Sequence, residues 1–146
     1  MDDSGRWYDD VKIGDAFART ITITETHLVL GAGLIGDFNP HHVNDEYAKG
    51  SRFGTRILHG MMTSALMGAA VGMYFHGTAV AYLEHAARFK APVRIGDTLT
   101  TTWTITGRDD KPKHGGGVVT IKGVCRDQHG TVVAEADAKM LVQARG

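Results

Sequence analysis

The sequence predicts an α+β fold in which a largely antiparallel β-sheet wraps around one long central helix. The first supporting observation is an apolar stretch, residues 57–75, that holds no Asp, Glu, Lys or Arg. The second is a set of small residues spaced four apart within that stretch: Gly60, Ser64, Gly68 and Gly72. The third is a change to two-residue periodicity in the chain that follows, which is typical of strands with one buried face.

The N-terminal part of the chain contains one candidate strand and two short candidate helices. Residues 18–24 form the candidate strand. We expect Thr26 to cap a helix over residues 27–35, because a threonine oxygen can accept a hydrogen bond from an N–H of the first helical turn. Asn44 is placed to cap a second helix, which ends at Lys49.

The central helix is expected to begin at His59 and Gly60, with its small residues on one face. Such a face lets another backbone approach closely, so Gly68→Leu is expected to disrupt folding. The alternative is a membrane span that dimerises through Gly68 and Gly72. We favour a buried helix of a globular protein, because Thr63 and Ser64 interrupt the apolar stretch and the rest of the chain reads as an ordinary domain.

Four further strands are predicted after the helix: residues 79–89, 98–106, 118–126 and 132–142. The alternation is clearest in residues 98–106, where every even position is threonine. Residues 127–130 (DQHG) predict a turn between the last two strands. Residues 107–117, which contain three consecutive glycines, predict an exposed loop.

The composition restricts the class of protein. A chain of 146 residues with 42% hydrophobic and 22% charged residues fits a single domain spanning residues 1–146. The 16 Lys and Arg balance the 16 Asp and Glu, so a nucleic-acid partner is not expected. The single cysteine, Cys125, excludes an internal disulfide, and residues 1–6 are too acidic and polar for a secretory signal. We therefore expect a cytoplasmic protein with no membrane partner.

The polar segment between the two short helices carries the first candidate catalytic pair. Asp37 and His42 lie five apart on opposite sides of Pro40, which keeps Asn39 out of helical geometry. A turn can aim both side chains at one point, and a carboxylate and an imidazole around one water form an acid–base pair. The alternative is that Asp37 caps a turn and His42 is a solvated loop histidine.

The start of the apolar helix is the second candidate. Helix N-termini expose N–H groups without intrahelical acceptors and carry partial positive charge, so they stabilise an oxyanion. Gly60 has no side chain to obstruct a ligand carbonyl. The alternative is that Gly60 serves only helix–sheet packing.

Four segments together resemble one known family. Residues 36–42 read GDFNPHH and fit the family pattern G-D-x-N-P-x-H; NDEYA at 44–48, ILHGMM at 57–62 and RFKAPVRIGDTL at 88–99 follow. On these residues the chain resembles the MaoC-like proteins, the family of the R-specific enoyl-CoA hydratases. The resemblance covers nearly the whole chain. It implies a hotdog fold, an antiparallel sheet wrapped around one long helix, and a homodimer with active sites near the subunit interface.

The resemblance also implies the reaction and its residues. Asp37 and His42 would bind the water that adds to C3 of a trans-2-enoyl thioester, giving an R-3-hydroxyacyl thioester reversibly. The Gly60 N–H would hold the thioester oxygen, and Asn39 would orient the loop or the pair. The substrate would be an acyl-CoA or acyl-carrier-protein thioester, with no cofactor and no metal. Further candidates for substrate binding are Phe38, His59 and Met61.

Two other functions remain open at this stage. A hotdog acyl-CoA thioesterase commonly places a carboxylate on or near the central helix, but residues 61–75 hold no Asp or Glu. A non-catalytic acyl-thioester binding subunit would not need the Asp37 and His42 pair.

A zinc site built from His41, His42 and His59 is not supported, because no carboxylate or thiol stands at standard ligand spacing.

Overall fold

Five antiparallel strands form one sheet in a computed structural model that describes residues 5–146. The strands are β1 (Ala16–Thr22), β2 (Ala79–Phe89), β3 (Thr98–Lys111), β4 (Gly116–Arg126) and β5 (Val132–Gln143). They lie in the order β1-β3-β4-β5-β2, so β1 and β2 are the two edges. The α-helices are α1 (Glu25–Ile35), α2 (Pro40–Val43), α3 (Asp45–Lys49) and α4 (Gly60–Tyr74), and short 3₁₀ turns lie at Tyr8–Asp10 and Pro112–His114.

The core lies between α4 and one face of the sheet. Met67 and Val71 of α4 are fully buried, as are Trp103 of β3 and Ile121 of β4. The Trp103 indole Nε1–H donates to the carbonyl of Met67 at 2.9 Å, which satisfies the polar edge of this large buried ring. The alternation predicted for β3 and β5 is confirmed except at the start of β5, where Val133 rather than Val132 is buried.

Several predicted boundaries differ from the structure, and a further short helix, α2 (Pro40–Val43), lies in the polar segment between the two predicted ones. Thr24, not Thr26, is the N-cap of α1, and the backbone N–H of Thr24 donates to Nδ1 of His27 at 2.9 Å. The first strand begins at Ala16 rather than Ala18. The predicted loop 107–117 is mostly strand, because β3 and β4 stay paired as far as Lys111 opposite Gly116. The glycines there permit close packing: a Cβ on Gly117 would lie 2.2 Å from the ring of Tyr8.

The small residues of α4 face side chains of β2 rather than another backbone. The paired positions along this seam are Gly60 with Phe89, Ser64 with His85, and Gly68 with Tyr82. The close backbone contact predicted at Gly68 is therefore wrong. The three atoms nearest to a Cβ there all belong to the Tyr82 ring and hydroxyl, at 3.7–3.9 Å, and a Cβ on Gly72 would meet no atom of residues 5–146 within 4 Å.

The seam between α4 and β2 also contains three side chains joined by hydrogen bonds. Ser64 Oγ lies 2.7 Å from Nε2 of His85, and the Tyr82 hydroxyl lies 2.7 Å from Nδ1 of the same ring. Burial lowers the pKa of His85 and raises the pKa of Tyr82 to about 12. Both groups are therefore held in their neutral forms near pH 7, and they satisfy one another in a partly buried position.

Residues 1–4 lie outside the described range. They make up most of the segment, residues 1–6, that is interpreted above as unlike a secretory signal. Within residues 5–146, no helix combines the length and the apolar character that crossing a bilayer requires. The helix for which a membrane span was the alternative, α4, has 15 residues.

The glycines of the core give a matched test of this packing. Gly123→Ala would place a Cβ 2.7 Å from the buried Trp103 ring, so we expect a loss of about 1–3 kcal/mol in the free energy of unfolding. Gly68→Ala meets only ordinary contacts and removes a flexible residue from a helix, so we expect no loss and a gain of up to about 1 kcal/mol. Urea denaturation of both variants measures the difference. Equal destabilisation would contradict the register of α4 on β2.

Candidate active site

The turn between α1 and α2 positions Asp37. α1 ends at Gly36, which adopts a left-handed conformation (φ 74°) that favours glycine, and α2 begins at Pro40. The N–H of Asn39 donates to Oδ1 of Asp37 at 3.1 Å, and the Asn39 side chain accepts from the N–H of His41 at 3.3 Å. Asn39 therefore caps α2 and holds Oδ1 of the Asp37 carboxylate. Oδ2 of Asp37 takes part in neither of these two hydrogen bonds.

Asp37 and His42 face one another across this turn, as the proline bend predicts. His42 Nε2 lies 3.7 Å from Asp37 Oδ2, which is too long for a direct hydrogen bond but lets one water contact both atoms. The His42 side chain is 12% exposed and that of Asp37 is 48% exposed. Nδ1 of His42 donates to the carbonyl of Ile57 at 2.7 Å. A neutral His42 ring therefore carries its lone pair on Nε2, the atom that faces Asp37.

His59 packs directly beneath this pair. Its ring stacks on the His42 ring with centroids 3.7 Å apart and planes 26° apart. Its Nε2–H donates to the backbone carbonyl of Asp37 at 3.0 Å. Only 2% of His59 is exposed, so the residue that the sequence suggests for substrate binding is buried behind the two candidate catalytic residues.

Gly60 lies at the first position of α4, where its N–H has no acceptor within the helix. It borders a cavity of about 290 Å³. The walls are mainly apolar and include Phe53, Thr63, Phe89, Pro92 and Val133. A Cβ on Gly60 would lie 3.3 Å from the Phe89 ring, so a side chain there would crowd the cavity.

The cavity and the Asp37 and His42 pair flank the same segment without merging. Ile57 and Leu58 line the cavity. The same segment contacts the pair through the backbone carbonyl of Ile57, which accepts a hydrogen bond from His42. Phe38 (63% exposed) and Met61 (67% exposed) do not line this cavity, and their role in substrate binding stays a prediction. Phe53, Phe89 and Val133 share the cavity although they lie far apart in the chain, a proximity that sequence spacing does not indicate.

Comparison with known proteins identifies the family. The MaoC like domain matches residues 11–124. The chain belongs to this family. It is 41% identical over 140 residues to the (R)-specific enoyl-CoA hydratase of Rhodospirillum rubrum, a match that covers 96% of this chain and 94% of the relative.

Solved structures agree with that identification. The R-hydratase PhaJ1 of Pseudomonas aeruginosa superposes with a TM-score of 0.84 at 30% identity, covering 95% of this chain and 86% of that one. The (R)-hydratase of Aeromonas caviae, which is involved in PHA biosynthesis, superposes with a TM-score of 0.78 at 26% identity, covering 92% of this chain and 98% of that one. The hotdog fold expected from the sequence resemblance is confirmed.

Arg56 holds the short helices of this MaoC-like domain around the pair. Its guanidinium donates to both carboxylate oxygens of Glu25 on α1, at 2.7 and 2.8 Å, and to Asp45 on α3 at 2.6 Å. It also donates to the carbonyl of His42 at 3.4 Å. These bonds raise the pKa of Arg56, and the same guanidinium lowers the pKa of Glu25. The sequence does not reveal this clamp, because its partners are 31 and 11 residues away from Arg56 and follow no motif.

The residues most able to hold a metal are Asp37, His42 and His59. Each offers one ligand atom, and the three atoms lie within 4.8 Å of one another. One nitrogen of each ring already bonds a backbone carbonyl, and the rings are stacked, so their in-plane lone pairs run side by side rather than converging. This geometry fits a metal ion poorly, and the expectation that no metal is required stays a prediction.

The Glu25 and Arg56 ion pair predicts a dependence of stability on pH. The folded-state pKa of Glu25 lies below its ordinary value of 4.5, so its stabilising contribution is present above that value and is lost as the pH falls through the folded pKa. The Glu25 side chain is 56% exposed, so we expect Glu25→Gln to cost about 0.2–1 kcal/mol at pH 7. Urea denaturation at pH 7 and near pH 3 should show this gap narrowing in acid. A gap that widens in acid would contradict the assignment.

Proposed function

We propose that this MaoC-like chain is an R-specific enoyl-CoA hydratase, which adds water to trans-2-enoyl thioesters and reverses the reaction by dehydration. The observation that carries the proposal is the 3.7 Å separation of His42 Nε2 and Asp37 Oδ2 beside the start of α4. One water can contact both atoms there. Relatives with this activity in their names support the same reaction.

The pair activates water and returns a proton. Nε2 of His42 accepts a proton from the water, because its Nδ1–H is engaged by the carbonyl of Ile57. The Asp37 carboxylate accepts a hydrogen bond from the second hydrogen of that water, which stays on the oxygen, and orients the oxygen toward C3 of the substrate. The oxygen then bonds to C3 as the C2–C3 double bond becomes single, and the proton held by His42 passes to C2 on the same face. The product is the R-3-hydroxyacyl thioester.

Gly60 stabilises the charge that develops at the other end of the conjugated system. As water adds to C3, electron density moves to the thioester oxygen, and the Gly60 N–H and the positive end of α4 are placed to bind it. One such donor contributes about a hundredfold to a thousandfold in rate. The Asp37 and His42 pair contributes a further ~100–10,000-fold as general acid and base.

The chemistry of α4 disfavours the thioesterase alternative. Gly60–Tyr74 contains no Asp or Glu, which disfavours a hotdog thioesterase with its carboxylate on the central helix. A binding subunit without activity would have no need of a histidine whose lone pair is directed at a carboxylate. Hydration therefore accounts for more of the observed contacts than either alternative.

The substrate is an acyl-CoA or acyl-carrier-protein thioester, and the apolar cavity beside Gly60 is the proposed place for part of it. Lys90 lies in the wall of that cavity and is the cation best placed for a substrate phosphate. Arg88 is instead paired with Asp137 on β5, at 3.0 Å. We further propose that residues 1–146 are one catalytic domain acting in the cytoplasm without a cofactor, consistent with the single unpaired Cys125.

The active form is proposed to be a homodimer joined along β2. Among the described residues, 5–146, no strand pairs with the outer side of β2, which exposes Val80 and Leu83 to solvent. An exposed apolar edge favours pairing with another strand. Pairing of two copies would also cover the open seam between α4 and β2, beside Gly60.

Substitution of the pair tests the reaction. Asp37→Asn and His42→Ala are expected to lower the rate of crotonyl-CoA hydration by at least about a hundredfold, since each removes one of the two groups that contact the water. Loss of the absorbance of the conjugated thioester measures hydration, chiral chromatography identifies the product, and a thiol reagent detects hydrolysis. His129→Ala, in an exposed turn, is the control. Full activity in both variants, or release of free thiol by the wild type, would overturn the proposal.

A charge on β2 tests the dimer. Leu83→Arg is expected to shift the protein from dimer to monomer in sedimentation equilibrium, because an arginine would lie at the centre of the proposed interface. Ile21→Arg, on the opposite edge strand β1, is the matched control and is expected to stay dimeric. A wild-type protein that sediments as a monomer at micromolar concentration would exclude this assembly.

A further inference from the structure

We propose that His59 is a positioning residue: its buried ring sets the separation of Asp37 and His42 without contacting the substrate. The inference rests on the proposed function, because it assigns a role within that same site. It departs from the sequence-based expectation that His59 binds substrate. Three independent observations support it: the burial of His59, its stack on His42 and its hydrogen bond to Asp37.

The two contacts of His59 reach both members of the pair. The His59 ring stacks on the His42 ring with centroids 3.7 Å apart, which restricts the position of Nε2 of His42. The Nε2–H of His59 donates to the carbonyl of Asp37 at 3.0 Å, which fixes the backbone from which the carboxylate extends. The 3.7 Å gap between the two reactive atoms therefore depends on one rigid ring anchored at the start of α4.

A second bond of the same kind closes the arrangement. His42 donates to the carbonyl of Ile57, two residues before His59, while His59 donates to the carbonyl of Asp37, five residues before His42. Each histidine thus binds the backbone of the segment that carries the other. We call these two bonds the reciprocal histidine latch. Loss of His59 opens one half of it and leaves the other half in place.

The unused nitrogen of His59 argues against a purely structural role. Because Nε2 carries the proton that is donated to Asp37, Nδ1 of the neutral ring holds a lone pair. That nitrogen is buried and has no hydrogen-bond partner among the described residues. A buried polar atom without a partner destabilises a fold, so packing alone would be better served by an apolar ring. The donor at Nε2 is the feature that an apolar ring cannot supply.

Two substitutions separate the contacts. His59→Phe keeps a stacking ring and removes the donor, and His59→Gln keeps a donor and removes the stack. A displacement of reacting groups by about 1 Å can cost on the order of a hundredfold in rate. We expect kcat for crotonyl-CoA hydration to fall by about ten- to a hundredfold in each variant, with KM within about twofold of wild type. The melting temperature of His59→Phe is expected to stay close to that of wild type, because the variant also removes the unpartnered nitrogen.

A double variant distinguishes positioning from direct contact with substrate. If His59 acts only through the pair, His59→Phe combined with His42→Ala is no slower than His42→Ala alone, within about twofold. A multiplicative further loss, or a rise in KM with kcat unchanged, would show that His59 contacts substrate and would overturn the inference. Wild-type kcat in both single variants would also overturn it.

A structural measurement keeps the inference separate from the proposed reaction. In a crystal structure of His59→Phe we expect the distance between Asp37 Oδ2 and His42 Nε2 to differ from that in a wild-type crystal by more than about 0.5 Å. An unchanged distance would refute the positioning role even if no enoyl thioester were a substrate. Conversely, a wild-type enzyme inactive on enoyl thioesters, with a displaced pair in the variant, would refute only the proposed function. If His59→Phe does not fold, His59→Gln serves for the same comparison.

Discussion

The reciprocal histidine latch is the interaction on which the geometry of the site depends. Asp37 lies in a turn between short helices, and such a segment has few buried contacts of its own. The latch ties it to Ile57 and His59, directly before α4, and α4 itself is anchored in the core by the Trp103 bond to Met67. The turn that carries Asp37 is thereby held by a segment that leads into a helix packed in the core.

Arg56 acts on the same segment from outside. Its bonds to Glu25 and Asp45 connect α1 with α3, and its weaker bond to the carbonyl of His42 reaches α2 between them. The segment is therefore held by largely buried hydrogen bonds on one side and by a partly exposed, charged set of contacts on the other. These respond differently to solution conditions, since salt screens exposed charges far more than buried hydrogen bonds. High ionic strength should loosen the outer helices before it disturbs the pair.

Residue patterns in the sequence predict much of this architecture. The start of α4 at Gly60, the buried face of β3 and the convergence of Asp37 and His42 follow from the apolar stretch, two-residue alternation and the bend at Pro40. The clamp and the latch do not, because their acceptors are backbone carbonyls or carboxylates distant in the chain. A carbonyl is present in every residue and leaves no signal in a sequence. The prediction of a loop at residues 107–117 is wrong for a related reason. Glycine occurs both in loops and at close contacts between packed segments, and only the position of Tyr8 in the fold shows that Gly117 lies at a close contact.

The edge strand β2 has two irregularities, at Val80 and at Leu83, where the chain skips a partner on β5. Such bulges increase local twist and interrupt the regular ladder of backbone donors and acceptors. A flat edge would accept any extended chain and could grow into open-ended aggregates. An interrupted edge is less suited to an arbitrary extended chain, whereas a second copy of the same strand, running in the opposite direction, carries the same interruptions. In the proposed homodimer, the irregular edge would therefore make self-recognition more selective than an unbroken ladder would.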